Sequence, residues 1–333
     1  MSIMEIKSTG IVDQFNRVHD YLRISLTERC NLRCFYCMPA EGILLRPRST
    51  FMSAEEIISI AGTFVSLGVK KIRLTGGEPL VRKDAKLILE ELSKLPVELA
   101  ITTNGILVNE YIETFTKCGV HSINVSLDSL KKEKFNTITR RDYFDTVVSN
   151  IELLLQNKFH VKVNAVVIKG VNDEEVCDFV SWTKDKNVHV RFIEFMPFDG
   201  NNWNWEKGVS YREIMAKIDE QFGSGIIKLD DGKNDTAKNY AIEGHLGTFA
   251  IISSITNPFC DTCNRLRLTA DGKMKNCLFS GGETDLLGAL RRGEDIVPMI
   301  EQTVWNKKAI RGGAETLNDF SKQKNRTMVA IGG

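Results

Sequence analysis

Long apolar runs are missing from this sequence. No stretch reaches the ~18 apolar residues of a membrane span. The opening Met1-Ser2-Ile3-Met4-Glu5-Ile6-Lys7 has no apolar core of the kind a secretory signal carries. Charge of one sign is also missing: 44 Lys and Arg stand against 43 Asp and Glu, for a net charge of +1. That excludes the global basic field that would draw a nucleic-acid polymer, so any phosphate recognition must be local. Histidine is sparse. His19, His121, His160, His189 and His245 form no pair at ligand spacing, which leaves no histidine-built metal site and no acid–base pair. These absences predict a soluble cytoplasmic protein with no membrane partner. What remains is 333 residues, 42% of them hydrophobic, ample for a sizeable core.

Cysteine is where the sequence becomes specific. Eight cysteines in a chain of this length, without a secretory signal, point to metal or catalysis rather than disulfides. Cys118 and Cys177 stand alone in helical stretches and read as inert, partly buried thiols. The other six form two triads. Cys30, Cys34 and Cys37 are spaced C-x₃-C-x₂-C, with no fourth cysteine nearby. A cubane iron–sulfur cluster takes four thiolates, so three leave one iron open to a small molecule. Structural zinc needs a second half-site, and none follows. Cys260, Cys263 and Cys277 run C-x₂-C-x₁₃-C. Their spacing alone leaves zinc and a cluster both open, with His245 or Asp261 as weak candidates for a fourth zinc ligand.

Between the triads the chain alternates strand and helix. Ser53 and Glu56 form a capping-box pattern, with Met52 and Ile57 at the staple positions. The helix they open carries Ile57, Ala61, Phe64 and Val65 on one face and stops at Gly68. Further helices are expected at 84–94, 106–117, 142–157 and 173–185, and strands at 97–102, 121–126, 161–168 and 189–195. Alternating βα units imply a parallel sheet with right-handed crossovers. About six units fit before residue 200, too few for a closed eight-unit barrel. The expected fold is therefore α/β, an incomplete (β/α)₆ TIM-type barrel, with a flat doubly wound sheet as the alternative. A composition shift at 197–209 places a domain boundary near residue 200. Residues 1–200 would form the partial barrel with an N-terminal arm. Residues 201–333 would form an α+β extension with the second cysteine triad.

The C-x₃-C-x₂-C loop with an aromatic residue before its last cysteine resembles the signature of the radical S-adenosylmethionine (SAM) enzymes. The flanks, Leu22-Arg23-Ile24-Ser25-Leu26-Thr27-Glu28-Arg29 and Met38-Pro39, resemble the branch of that family that opens molybdenum cofactor biosynthesis by cyclising GTP. The resemblance implies two [4Fe–4S] clusters, on Cys30, Cys34 and Cys37 and on Cys260, Cys263 and Cys277, with SAM on the first and guanine on the second. It assigns Tyr36, Gly77, Glu78, Asn104, Ser126 and Met196 to SAM. It assigns Arg23, Arg73, Thr102, Lys162, Arg265, Leu266 and Arg267 to GTP, with Arg23, Arg265 and Arg267 also in catalytic roles. The terminal Gly332-Gly333 matches a tail that enters the active site in that branch. The match departs at Phe15-Asn16-Arg17, where a glycine is usual in place of Asn16.

Several of these residues have an independent physical reading. Two arginines at i, i+2 in Arg265-Leu266-Arg267 point the same way from a strand and can fork onto phosphate oxygens. Lys162, inside the apolar run Val161-Lys162-Val163, either snorkels outward or faces an anion in a cavity. Thr75-Gly76-Gly77-Glu78-Pro79 follows a strand, where parallel sheets bind ligands.

The expected activity is conversion of GTP to (8S)-3′,8-cyclo-7,8-dihydroguanosine 5′-triphosphate. The implied partners are reduced ferredoxin or flavodoxin as electron donor and cyclic pyranopterin monophosphate synthase downstream, with room for a homodimer. Two other readings are a radical SAM enzyme acting on a peptide and a non-catalytic metal-binding interaction module. The first gives no reason for the arginine pair beside the second triad. The second explains neither the glycine turn nor the βα alternation.

Overall fold

The computed structural model describes residues 10–44, 46–322 and 325–332. Its strands form one twelve-stranded sheet. Six of them, β1 (Tyr21–Ser25), β2 (Lys71–Thr75), β3 (Glu98–Thr103), β4 (Ser122–Ser126), β5 (His160–Val167) and β6 (His189–Glu194), lie side by side in chain order, all parallel. The helices between them are α1 (Ala54–Ser66), α2 (Ala85–Leu92), α3 (Ile112–Lys117), α4 (Lys132–Thr139), α5 (Phe144–Gln156) and α6 (Val176–Trp182), with α7 (Tyr211–Phe222) following β6. This is the expected six-unit βα array.

The sequence signals act locally as expected. Ser53 Oγ accepts from the Glu56 amide at 3.2 Å and the Glu56 carboxylate accepts from the Ser53 amide at 2.7 Å, closing the capping box. Gly68 sits at φ +99°, the left-handed turn that stops the helix. The third helix is shorter than expected, because Val108–Glu110 makes a tight 3₁₀ turn before Ile112. Helix α4 was not foreseen; its exposed face is charged and only Phe135, Ile138 and Thr139 are buried.

The last third of the chain enters the same sheet at both sides. Strands β7 (Ile226–Lys228), β8 (Lys238–Ile242) and β9 (Thr248–Ile252) form an antiparallel meander, and β9 pairs parallel to β6. Strand β10 (Arg265–Leu268) pairs parallel to β1, followed by β11 (Lys273–Lys275) and β12 (Thr284–Asp285) in antiparallel fashion. Four helices close the chain: α8 (Leu286–Arg291), α9 (Val297–Trp305), α10 (Leu317–Lys322) and α11 (Met328–Ile331). The regions expected on either side of residue 200 thus share one sheet.

Period-two alternation divides the strands into two faces. Leu22 and Ile24, Ile72 and Leu74, Leu99 and Ile101, Ile123 and Val125, Val161 and Val163, Val190 and Phe192, and Leu266 and Leu268 are all buried in the main apolar core. With Ala100, Val166 and Ile193 as the exceptions in β1 to β6, the alternate positions are polar. Register aligns them across the sheet: Arg23 lies level with Arg73 on one side and Arg267 on the other, and Thr102, Asn124 and Lys162 form a row. Polar residues from β1 to β6 and β10, with Ile252 of β9, line one cavity. Strands so far apart can meet there only because the sheet curves round it.

Candidate active site

The cavity has a volume of about 490 Å³, and both cysteine triads are in its wall. All eight cysteines are free thiols. The first triad lies on the irregular loop after β1. The TGGEP turn holds that loop: the Gly77 amide donates to Thr27 O at 2.6 Å and the Glu78 amide to Arg29 O at 2.8 Å. A Cβ on Gly77 would come within 2.5 Å of the Arg29 carbonyl oxygen, and one on Gly76 within 2.7 Å of that of Thr27. The glycines are required by the packing of two backbones, and the Gly77 N–H is already used. A bound ligand can be served here by carbonyls rather than by that N–H.

Glu78 stands behind the cavity rather than in its wall. Its carboxylate accepts from Leu80 N at 3.0 Å, Thr103 Oγ1 at 2.8 Å and Asn104 N at 2.6 Å. Burial pushes it up to about 7 against those bonds. It therefore fixes Asn104, whose Nδ2 donates to Asn31 Oδ1 at 2.7 Å and faces Cys30 Sγ at 3.8 Å. Tyr36 lines the cavity and its hydroxyl donates to Asp128 Oδ2 at 2.6 Å. Gly77, Ser126 and Met196 line it too. Every residue expected to hold SAM except Glu78 faces this space.

The residues expected for the nucleotide converge in the same cavity, with one correction. Arg23, Arg73, Thr102, Lys162, Arg265 and Arg267 line it. Leu266 does not: the alternation that turns its two neighbours inward sends its side chain, fully buried, into the core. Leu266 can act toward a ligand only through its backbone. Lysine 162 takes the inward option left open by its sequence. Sequence reasoning passed over Lys71, Arg191, Tyr21 and Asn164, all of them lining residues. The signal was available, since Lys71 precedes Arg73 by two and Arg191 alternates with buried Val190 and Phe192.

These cations depress one another. Burial, Arg191 and Arg73 push Lys162 down to about 8, and burial and Arg73 push Arg191 down to about 9. Burial takes Arg267 down to about 10, and burial together with Arg267 holds Arg23 well below the usual arginine range. Tyr21, which receives a 2.6 Å hydrogen bond from Arg73 Nε, comes down to about 8; burial would raise it, but Arg73, Arg23 and Lys71 outweigh that. A wall of mutually repelling cations is relaxed by a polyanion.

The tail reaches this wall. Arg267 donates to the Gly332 carbonyl at 2.9 Å, and Gly332, at φ +87°, is buried where a Cβ would come within 2.6 Å of Thr75 Oγ1. Only glycine fits there. Gly333 lies outside the described residues. Arg265 donates to Asn234 O at 2.7 Å and stacks on Phe259, so the loop before β8 also closes on the site.

The two triads have different surroundings. Burial, then the nearby Glu78 carboxylate, push Cys30 up to about 12. A hydrogen bond donated to Cys37 and then burial raise Cys34 well above the usual thiol range. Three neighbouring thiolates repel one another and need a cationic group among them. In the second triad burial raises Cys260, but for Cys263 the cations Lys307 and Arg265 outweigh burial and bring the thiol below its ordinary range. Among the described residues no three His, Cys, Asp or Glu side chains gather tightly enough for a single metal ion. A mononuclear zinc site holds its thiolates at about 2.3 Å from one ion, whereas a cluster spreads them over several irons. The donor sets fit clusters with one position left for a ligand.

Fold and first triad together define the class: a radical SAM enzyme. The description "Radical SAM superfamily" matches residues 24–183, and "Molybdenum Cofactor Synthesis C" matches residues 188–311. The chain is 50% identical over 332 residues to the protein named GTP 3′,8-cyclase, mitochondrial, of Arabidopsis thaliana, covering 98% of this chain and 84% of that one. It is 43% identical to the GTP 3′,8-cyclase of Peptoclostridium acidaminophilum, covering 99% and 100%. The chain belongs to the GTP 3′,8-cyclase family. It spans about half the length of other curated relatives, named for molybdenum cofactor biosynthesis. Among solved structures, Streptococcus suis SuiB bound to precursor peptide SuiA shares the fold, with a TM-score of 0.62 at 16% identity over 95% of this chain and 77% of that one. No helix among the described residues is long and apolar enough to cross a membrane.

Proposed function

We propose that the cavity binds GTP between the two triads and that its ribose 3′ carbon is joined to C8 of guanine, giving (8S)-3′,8-cyclo-7,8-dihydroguanosine 5′-triphosphate. The supporting observation is the cationic wall: Arg23, Lys71, Arg73, Lys162, Arg191, Arg265 and Arg267 face one space that also holds six thiols. When bound, a [4Fe–4S] cluster with SAM supplies one-electron chemistry and a 5′-deoxyadenosyl radical able to take the 3′ hydrogen; Cys30, Cys34 and Cys37 would hold it. Tyr36, Gly77, Asn104, Ser126 and Met196 are placed to position SAM. Cys260, Cys263 and Cys277 would hold the second cluster, which would supply a Lewis-acidic anchor for the guanine.

The protein's own contribution is binding, orientation and exclusion of water. Arginine forks fix the direction of the phosphates as well as neutralising them. Lys162, held near its titration point by its neighbours, gains its full charge when an anion arrives. Gly332 fills the gap between the ends of β1 and β2, and its carbonyl turns one Arg267 N–H away from competing water. In the same reading reduced ferredoxin or flavodoxin supplies two electrons, one for SAM cleavage and one that, with a proton, saturates N7 once the C3′–C8 bond has replaced the C8=N7 double bond; the product passes to cyclic pyranopterin monophosphate synthase, and the setting is the cytoplasm. The domain boundary near residue 200 separates the SAM-binding array from the segment that carries the second triad.

The test is anaerobic reconstitution with iron and sulfide, followed by SAM, a reductant and a panel of nucleotides, with 5′-deoxyadenosine as the readout. GTP should raise its formation well above ATP, CTP or UTP. Equal yields with all four would sink the substrate assignment.

A further inference from the structure

Lys307 is almost fully buried just after α9, yet it does not line the cavity that holds the other cations. Its Nζ is 3.5 Å from Cys263 Sγ and 3.0 Å from the Arg265 carbonyl oxygen. No carboxylate among the described residues lies within ion-pair distance of it. A buried ammonium without a carboxylate is costly, and here its partners are a sulfur and a carbonyl. The mechanism gives it no role, because it cannot reach a nucleotide in the cavity.

We propose that Lys307 is a positioning residue for the second triad, a charge-assisted donor that draws electron density from the Cys263 sulfur. Any iron–sulfur group held by Cys260, Cys263 and Cys277 is then easier to reduce and a better acceptor for a nitrogen or oxygen donor of the guanine. Hydrogen bonds to the sulfurs and local charge are the levers by which a protein sets such a group's potential. The neighbourhood is consistent with this. The Arg311 amide points at Cys260 Sγ at 3.3 Å, and Arg17 holds the Cys260 carbonyl at 2.8 Å. The first triad differs in its donors to sulfur, although Arg33 holds the Cys30 carbonyl at 2.6 Å much as Arg17 holds that of Cys260. Its donors to Cys30 are neutral, the Leu32 amide at 3.4 Å and Asn104 Nδ2 at 3.8 Å, and the carboxylates near it, Glu78 and Asp128, are buried. Of the two triads, only the second has an ammonium donating to one of its sulfurs among the described residues. The proposal rests on the reading that the second triad carries a cluster, and its test separates the two.

The experiment uses the full chain with Cys30→Ala, Cys34→Ala and Cys37→Ala, so that only the second triad can load iron. Into it go Lys307→Met and Lys307→Gln, which remove the charge, and Lys307→Arg, which keeps it. Iron content, an EPR-monitored redox titration and GTP affinity are measured. Removing the charge should change the reduced-to-oxidised ratio at fixed potential about tenfold toward oxidised, or about 59 mV downward for a one-electron couple. GTP affinity should fall several-fold, and Lys307→Arg should stay close to the parent in both. Loss of iron from both neutral variants with retention in Lys307→Arg also supports the role. An unchanged potential in the neutral variants, or loss of iron from all three, overturns it and leaves Lys307 a packing residue. Absence of iron from the parent itself sinks the cluster reading, a separate failure.

Discussion

Replacing Arg17 by Ala should be among the most damaging substitutions in the chain, although Arg17 does not line the cavity. Its guanidinium is buried. Nε pairs with Asp13 Oδ2 at 2.6 Å, one terminal nitrogen donates to the carbonyls of Cys260 and Ala309, both at 2.8 Å, and the other to Lys308 O at 2.9 Å. Truncation leaves the buried Asp13 carboxylate with only His19 and two backbone amides, and strips three carbonyls of a charged donor. Breaking a buried ion pair costs about 3–5 kcal/mol, and each orphaned buried acceptor about 1–3 kcal/mol more. Water entering the vacated space recovers part of this, so the expected net loss is about 4 kcal/mol. Lysine cannot reproduce the planar fork and should recover less than half. The assay is denaturant unfolding of the iron-free chain, followed by iron content after reconstitution. Iron should fall toward the amount one cluster carries, since Arg17 anchors the Cys260 loop. A loss under 1 kcal/mol with full iron content would refute the reasoning.

Three further outcomes can be checked. His19 is buried with Nε2 3.0 Å from Asp13 Oδ2 and, among the described residues, no partner at Nδ1, and burial and then Lys307 take it down to about 4. Its folded value lies below the unfolded ~6.5, so its contribution is constant above pH 6.5 and stability falls between pH 6.5 and 4, by about 3 kcal/mol in all. His19→Gln should flatten that limb of a pH–stability curve, and an unchanged limb would remove His19 as its cause. Lys162, near 8 when free, must be protonated to hold a phosphate. The apparent affinity for GTP should therefore decline as pH rises through 8, and Lys162→Arg, which does not titrate in this range, should shift the decline upward; the same profile for both would contradict the placement. Gly332→Val should lower GTP-dependent deoxyadenosine formation at least tenfold while moving the unfolding midpoint little, because the clash is at the chain's end. Comparable activity would show that the tail does not need to seat there.

Much of the site was legible because strand geometry is simple. Polar residues at every second position of a strand whose other positions are apolar must share one face. Arg23, Arg73, Lys162, Arg265 and Arg267 were found on that ground or by resemblance. Lys71, two before Arg73, and Arg191 obeyed the same rule and were passed over, since basic residues in a strand are common on exposed faces. Leu266 was named with its neighbours by resemblance, and the alternation leaves only its backbone to face a ligand. The glycine turn was read as a ligand cradle, whereas its first constraint is the backbone of the cysteine loop at 2.5–2.7 Å from each missing Cβ. The arm could not be read at all, because its meaning is a contact between Arg17 and carbonyls more than 240 residues away. The departure at Asn16 then has a simple account. It sits at φ +59°, a conformation asparagine tolerates better than other non-glycine residues, so the turn that aims Arg17 survives without the glycine. Strands β11 and β12 are too short to leave a periodic signal.

The sheet also imposes an order on the making of the molecule. Strands β1 to β6 are complete by residue 194, but the neighbours that cover their flanks, β9 and β10, lie at 248–252 and 265–268. During synthesis the early array therefore waits, with unpaired backbone along both margins, until some 70 further residues have been added. A truncation after the sixth strand would keep its helices and most of its apolar interior and still present two adhesive borders. Such a fragment should self-associate in the cell.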